Sequence, residues 1–134
     1  MTQHFPKRER LKSLKQIQAC FSHGKIVRSG CIKAHWRIEI AEDQETSGAS
    51  LLKAGFSVPK KKFKRAVHRN QVRRKIKEAF RLNKSPLYPY LPLNKQLHIF
   101  FIFTKQDALP FNIIEKDLKT VLNQLINHLA DKNQ

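Results

Sequence analysis

Two cysteines and two histidines near the start of the 134-residue chain are spaced in a way that could bind a metal ion. Cys20-x2-His23 and Cys31-x3-His35 supply two thiols and two imidazoles, a ligand set that suits tetrahedral zinc. The seven-residue spacer between the pairs is shorter than in the usual zinc fingers. Zinc is therefore the weaker alternative, and we expect the protein to bind no metal and to keep both thiols reduced.

The sequence lacks the residue arrangements that protein-based hydrolysis or group transfer needs. It contains no phosphate loop ending in Gly-Lys-Ser or Gly-Lys-Thr, no Gly-x-Gly and no Gly-x-Ser-x-Gly. Glu42, Asp43 and Glu45 lie close together, but in a polar segment that is typical of a solvated turn. We therefore expect no catalytic residues in the protein itself.

Positive charge is concentrated in one segment of the chain. There are 27 Lys and Arg against 10 Asp and Glu, a net charge of +17 at pH 7. Residues 60–84 hold 12 of these cations with one acid, Glu78, so the segment repels itself unless a polyanion binds it. A membrane surface would require a long helix with Trp, Phe and Leu opposite the cations. Nucleic acid is therefore the expected partner.

Alternation of apolar and polar residues predicts the strands. Period two over 32–40 and 52–58 indicates two half-buried strands, and the polar turn at 42–50 favours their pairing as an antiparallel hairpin. In the run at 97–103 both the odd- and the even-numbered positions are mainly apolar, which is typical of a strand covered on both faces.

Apolar spacings of three and four predict three helices. The first runs from Leu11 to near Gly24 with its apolar stripe facing the core, and the last follows Pro110 and reaches Leu129. The middle helix lies in the basic segment, with its cations in one stripe beside a single apolar side. That apolar side consists of Val72, Ile76, Ala79 and Phe80. Strands before and after this helix imply a strand–helix–strand crossover.

These elements predict one domain over residues 1–134, with 1–10 and 130–134 as mobile ends. The expected fold is an α/β (α+β) two-layer sandwich. Its mixed sheet has about four strands, in the chain order α-β-β-β-α-β-α.

The segment from Val58 to Phe80 resembles the signature of the protein component of bacterial ribonuclease P. That family's motif is Arg-Asn-Arg, then Lys-Arg and then Arg-Glu on a helix. Here it reads Arg69-Asn70-Gln71, Arg73-Arg74 and Lys77-Glu78. Phe5-Pro6-Lys7, Arg10-Leu11-Lys12 and Gly55-x-Ser57-Val58 before Lys60-Lys61 also fall in the family's order.

The resemblance implies two RNA-binding surfaces. The basic helix would form a left-handed crossover between parallel strands and contact the catalytic RNA subunit, with arginines and lysines on phosphates. The candidates are Lys60, Lys61, Lys62, Arg65, Arg69, Asn70, Arg73, Arg74, Lys77 and Arg81. A cleft between the sheet and the first helix would hold the single-stranded 5′ leader of precursor tRNA. Its candidates are Phe21, His35 and Trp36, with core packing as the alternative for Phe21 and Trp36.

Four positions depart from the family pattern. Gln71 removes one cation, Lys77 keeps the charge without the guanidinium fork, and Pro59 replaces a serine. Ile17 stands where the family often has an aromatic residue.

We therefore expect the protein subunit of a cytoplasmic ribonucleoprotein endonuclease that removes 5′ leaders from precursor tRNAs. Mg²⁺ would act through the RNA subunit and substrate, and neither a membrane nor an obligate protein partner is expected. The alternative is a ribosomal or ribosome-assembly RNA-binding protein without a role in cleavage. A DNA-binding regulator is disfavoured because no second helix is placed for a helix-turn-helix.

Overall fold

Helices and strands alternate along the chain in the predicted order. The computed structural model describes residues 5–40, 52–61, 63, 65–91 and 95–132. Its regular elements are α1 (Leu14–His23), β1 (Lys25–Ser29), β2 (Ile32–Ile40), β3 (Leu52–Ser57), α2 (Ala66–Asn83), β4 (Lys95–Phe103) and α3 (Phe111–Lys132). Short 3₁₀ helices lie at Lys7–Glu9 and Ser85–Tyr90.

The four strands form one mixed sheet in the order β1-β2-β4-β3. β2 pairs with β1 and β4 in antiparallel fashion, and β3 pairs with β4 in parallel through the α2 crossover. The predicted β2–β3 hairpin is wrong because β4 lies between these strands; the turn proposed for it lies outside the described residues. The central position suits β4, whose Leu97, Ile99, Phe101 and Phe103 are fully buried.

The main core lies between one face of the sheet and helices α2 and α3. On this face the ring of Phe101 lies 5.4 Å from Phe80 of α2, and Trp36 lies 5.8 Å from His128 of α3. The apolar positions predicted for α3 are buried: Ile114, Leu118, Val121, Leu122, Leu125 and Leu129. None of the helices among the described residues combines the length and apolarity needed to cross a bilayer.

Helix α1 packs on the opposite face of the sheet, against β2 and β4. The prediction that its apolar stripe faces the core is wrong for Leu14, which is 75% exposed, and for Phe21, which is 45% exposed. Leu11 is buried and Ile17 is half-buried. Cys20 is the residue of α1 that is buried. The predicted two layers thus describe the sheet with α2 and α3, and α1 adds a partial third layer.

The pattern of apolar and polar residues does not predict β1, because this strand is short and only Val27 of its five residues is buried. A two-residue turn, Gly30-Cys31, joins it to β2. Gly30 adopts a φ of +54°, which suits a tight hairpin. The backbone N–H of Cys31 donates to Asp117 of α3 at 2.9 Å, which fixes the turn against the helix layer.

The segment before α1 packs against the far edge of the sheet. Phe5 makes edge contacts with Phe56 and Phe80, and the N–H of Leu11 donates to the carbonyl of Ala54 at 2.9 Å. Residues 5–10, which were predicted as a mobile end, thus contact the sheet and α2. Residues 130–132, from the other predicted mobile end, belong to α3, whereas 1–4 and 133–134 lie outside the described residues.

Candidate nucleic-acid interface

The predicted cations of α2 lie on the side of the helix that faces away from the core. The predicted apolar side is fully buried, so the helical turn of 100° per residue places the other side in solvent. Five candidates form this basic stripe: Asn70, Arg74 and Lys77 are exposed, and Arg73 and Arg81 are half-buried. Arg69 is the exception, since the same turn of 100° per residue places it on the apolar side of α2, where it is half-buried.

Little of this charge is neutralised by acids of α2. Glu78, the acid within the helix, forms an ion pair with Arg81 one turn away. Its hydrogen bond with Arg81 lowers the pKa of Glu78, so the carboxylate is ionised at neutral pH. The pair is solvent-exposed and stabilises the helix only weakly. The stripe therefore keeps the positive field that attracts a polyanion.

Hydrogen bonds hold two of the predicted cations of α2 in place. The guanidinium of Arg73 donates to Oδ1 of Asn70 at 3.0 Å, so Asn70 orients that cation. The guanidinium of Arg69 donates to the backbone carbonyl of Phe63 at 2.7 Å. Arg69 thus ties the start of α2 to the preceding loop.

The loop before α2 brings further predicted cations to the same end of the helix. Lys60, Lys61 and Arg65 are exposed, whereas Lys62 lies outside the described residues. Phe63 is buried, and its ring lies 5.8 Å from that of Phe103. Phe63 thus anchors the loop to the core.

The second candidate surface is the face of the sheet beside α1. One cross-strand row on this face contains Ile26, His35, Phe100 and Gly55, one residue from each strand. The ring of Phe21 lies 4.4 Å from His35 and 5.5 Å from Phe100. A Cβ on Gly55 would lie only 2.7 Å from the Phe100 ring, so glycine lets this ring lie flat against β3. Phe21, His35 and Phe100, with Ile26, form what we call the aromatic face.

Cations lie beside the aromatic face. Arg28 and Lys33 are opposite each other in the next cross-strand row, which has the same orientation. Burial, followed by the charges of Lys33 and Arg28, lowers the pKa of His35. His35 is therefore neutral at pH 7, and the surface offers uncharged rings with cations at one side. Stacked bases and a phosphate backbone require this combination.

Trp36 lies on the opposite face of the sheet from Phe21 and His35. It is 1% exposed and packs near His128, so the core alternative applies to Trp36 and its assignment to the cleft is wrong. The reason is the period of two, which turns neighbouring residues of a strand to opposite faces.

The four candidate zinc ligands are not brought together. No group of three or more His, Cys, Asp or Glu residues in the described part of the chain is placed to hold a metal ion. Cys20 contacts the carbonyl of His98, whereas Cys31 packs by Asp117. Burial raises the pKa of Cys20 to about 11 and that of Cys31 to about 12, so both thiols are protonated at pH 7 and are poor ligands. The zinc alternative is not supported.

Five residues on or beside these surfaces were not among the sequence candidates: Ile26, Arg28, Lys33, Phe100 and Arg10. Phe100 belongs to the even-numbered side of β4, and this parity was the available signal. This parity alone could not identify Phe100, because the strand order decides which face of the sheet α1 covers only in part. Arg10 lies beside the basic stripe because its segment pairs with β3.

Lowering the pH from 7 to 5 is expected to destabilise the protein through His98, which is fully buried beneath α1. Its pKa is lowered from 6.5 mainly by burial, an effect that Glu39 opposes and Lys53 and Arg37 reinforce. The unfolded chain takes up a proton near pH 6.5, whereas in the folded chain His98 takes it up only at a lower pH. The contribution of neutral His98 to the free energy of unfolding is therefore fully present above that pH and decreases below it.

Thermal unfolding at pH 7.5, 6.0 and 5.0 measures this effect, with His98→Gln as the matched variant. The variant should lose less of its melting temperature on acidification than the original chain. Equal losses would contradict the role of His98.

A family model for ribonuclease P matches residues 5–126 of the chain. The chain belongs to the ribonuclease P protein family. It is 31% identical over 125 residues to the ribonuclease P protein component of Porphyromonas gingivalis, covering 92% of this chain and 87% of that protein.

Solved structures of ribonuclease P proteins have the same fold. The Staphylococcus aureus protein matches with a TM-score of 0.63 and 25% identity, covering 87% of this chain and 94% of that one. The Thermotoga maritima protein matches with a TM-score of 0.64 and 23% identity, covering 87% and 96%. The predicted α+β fold with a four-stranded mixed sheet is confirmed.

Membership of the ribonuclease P family fixes the biological role. The chain is a tRNA-processing protein subunit of a ribonucleoprotein endoribonuclease. This confirms the leading prediction of a tRNA-processing subunit, and the ribosomal alternative is not supported.

Proposed function

We propose that the basic stripe of α2 binds the catalytic RNA subunit and that the aromatic face holds the 5′ leader of precursor tRNA. One observation carries the first assignment. The predicted cations of α2 other than Arg69 share a single solvent-facing side, beside which Glu78 is the acid and is paired with Arg81. Folded RNA presents phosphates at a density that such a stripe can neutralise.

The aromatic face supports the second assignment. Phe21 is nearly half exposed although it contacts two other rings, so a base can reach it. Stacking on an aromatic ring tolerates every base, which suits leaders of different sequence. The neighbouring cations, Arg28 and Lys33, would follow the leader backbone.

Metal chemistry belongs to the RNA in this proposal. Mg²⁺ keeps several waters and binds phosphate oxygens readily, so the RNA subunit and its substrate supply its ligands. The protein reduces repulsion between the two RNAs, and the metal affinity of the complex rises as a result. We place this complex in the cytoplasm, with no obligate protein partner.

Reconstitution tests the proposal. Labelled precursor tRNA is combined with the protein, with the RNA subunit, and with both, over a series of Mg²⁺ concentrations. We expect no cleavage by the protein alone and a lower Mg²⁺ requirement when protein and RNA are combined. Cleavage by the protein alone, or an unchanged Mg²⁺ requirement, would contradict the proposal.

A further inference from the structure

Arg10 is held next to α2, although it is distant from the motif helix in sequence. It forms a parallel bridge with Ala54 of the edge strand β3, which precedes α2 in the chain. Its guanidinium carbon lies 5.6 Å from the centre of the Phe5 ring, and that ring lies 5.8 Å from Phe80 of α2. Both the backbone and the side chain of Arg10 are therefore fixed beside the helix.

Lys77 lies three residues before Phe80 and shares this location. Its pKa is lowered, first by partial burial and then by the positive charges of Arg10 and Arg73. Like charges this close repel each other, and a bound anion would relieve the repulsion. We refer to Arg10, Arg73 and Lys77 as the three-cation cluster.

Glu9, the acid adjacent to Arg10 in sequence, is buried and binds Lys84 and Tyr88. It is 4% exposed, forms an ion pair with Lys84 and accepts a hydrogen bond from the hydroxyl of Tyr88. The ammonium group of Lys84 also lies 5.9 Å from the centre of the Phe5 ring. Glu9 thus anchors the segment that carries Arg10.

We propose that the three-cation cluster binds a phosphate group of the RNA subunit's backbone, and that Glu9 is the positioning residue that holds Arg10 in the cluster. This inference rests on the proposed function, in which α2 binds the RNA subunit. The guanidinium groups of Arg10 and Arg73 can each donate two hydrogen bonds to phosphate oxygens, while Lys77 contributes a point charge. The site extends the RNA-binding surface from α2 onto the segment that precedes α1.

Arg10→Gln tests the phosphate contact, with Arg8→Gln as its control. Arg8 is exposed in the same segment, so the control removes the same charge outside the cluster. Near 0.1 M salt, Arg10→Gln should weaken RNA-subunit binding about eightfold and reduce the slope of log affinity against log salt by about 0.9. Arg8→Gln should weaken binding less than twofold. Equal losses for the two variants would overturn the proposal.

A double-mutant cycle tests the role of Glu9. Arg10→Gln should weaken RNA-subunit binding about eightfold in the original chain. In a Glu9→Gln background it should weaken binding less than twofold, because Arg10 is already released there. A purely structural role for Glu9 would lower the melting temperature and leave the cost of Arg10→Gln unchanged. If Glu9→Gln does not fold, Tyr88→Phe keeps the ion pair and replaces it in the cycle. The cost of Arg10→Gln must then be smaller than in the original chain; an unchanged cost in a folded background would overturn the role of Glu9.

Two further measurements separate this inference from the proposed function. If Arg73→Ala with Arg74→Ala leaves RNA-subunit affinity unchanged, the proposed role of α2 fails as a whole. If that pair weakens binding and Arg10→Gln does not, only the three-cation cluster is refuted. Precursor tRNA binding by the assembled holoenzyme should be unchanged in Arg10→Gln; a loss there, with normal RNA-subunit binding, would assign Arg10 to the substrate and overturn the inference.

Discussion

Replacing Arg73 and Arg74 with alanine should weaken binding of the RNA subunit roughly 60-fold near 0.1 M salt. Each lost phosphate contact removes about 0.9 from the slope of log affinity against log salt, so two contacts remove about 1.8. The fold should survive, because Arg74 is exposed and the side chain of Arg73 donates its hydrogen bond to Asn70 at the surface. Titration of labelled RNA subunit at several salt concentrations gives both the affinity and the slope.

The matched control is the pair Lys116→Ala and Lys119→Ala. Both lysines are exposed on α3, so the control removes the same net charge from another surface. It should weaken binding only a few-fold at low salt. A control that weakens binding as much as the α2 pair would mean that overall charge, rather than the basic stripe, attracts the RNA. Loss of the thermal transition in the α2 pair would contradict a surface role for these arginines.

Phe21→Ala should weaken binding of precursor tRNA to the holoenzyme about 5- to 150-fold, because stacking of one base on an aromatic ring contributes about 1–3 kcal/mol. Binding of mature tRNA, which has no leader, should be unchanged. The measurement is equilibrium binding of both tRNAs to holoenzyme assembled with each variant, in Ca²⁺ to prevent cleavage.

Leu14→Ala is the control for Phe21→Ala. Leu14 belongs to the same helix and is 75% exposed, but it has no ring to stack on a base. This variant should bind both tRNAs normally. If Phe21→Ala weakens binding of mature tRNA as strongly as precursor tRNA, the aromatic face does not bind the leader.

The sequence was sufficient for α2 because one helix carries both signals. Its apolar residues recur with the helical period and its cations occupy the remaining side, so burial of Val72 and Phe80 determines which cations face solvent. No neighbouring strand has to be known for that inference.

The aromatic face required more than the sequence contains. The period of two correctly places His35 and Trp36 on opposite faces of the sheet. It does not say which of these faces the helices cover more completely. That depends on β4 lying between β2 and β3, and on α1 lying opposite α2 and α3. Arg10 illustrates the same limit, since its place beside Lys77 follows from a pairing with Ala54 across 44 residues.

The central position of β4 also determines when the protein can become functional during synthesis. β3 has no neighbour in the sheet other than β4 among the named strands, and β2 reaches β3 only through it. Until β4 leaves the ribosome, the nascent chain already carries 22 of its 27 basic residues, but only the β1–β2 hairpin of the sheet can form. At that stage it can attract any RNA by charge alone. Selectivity for particular RNAs therefore requires the last third of the chain. This part is nearly neutral, but it completes the fold that holds the basic stripe and the aromatic face in place.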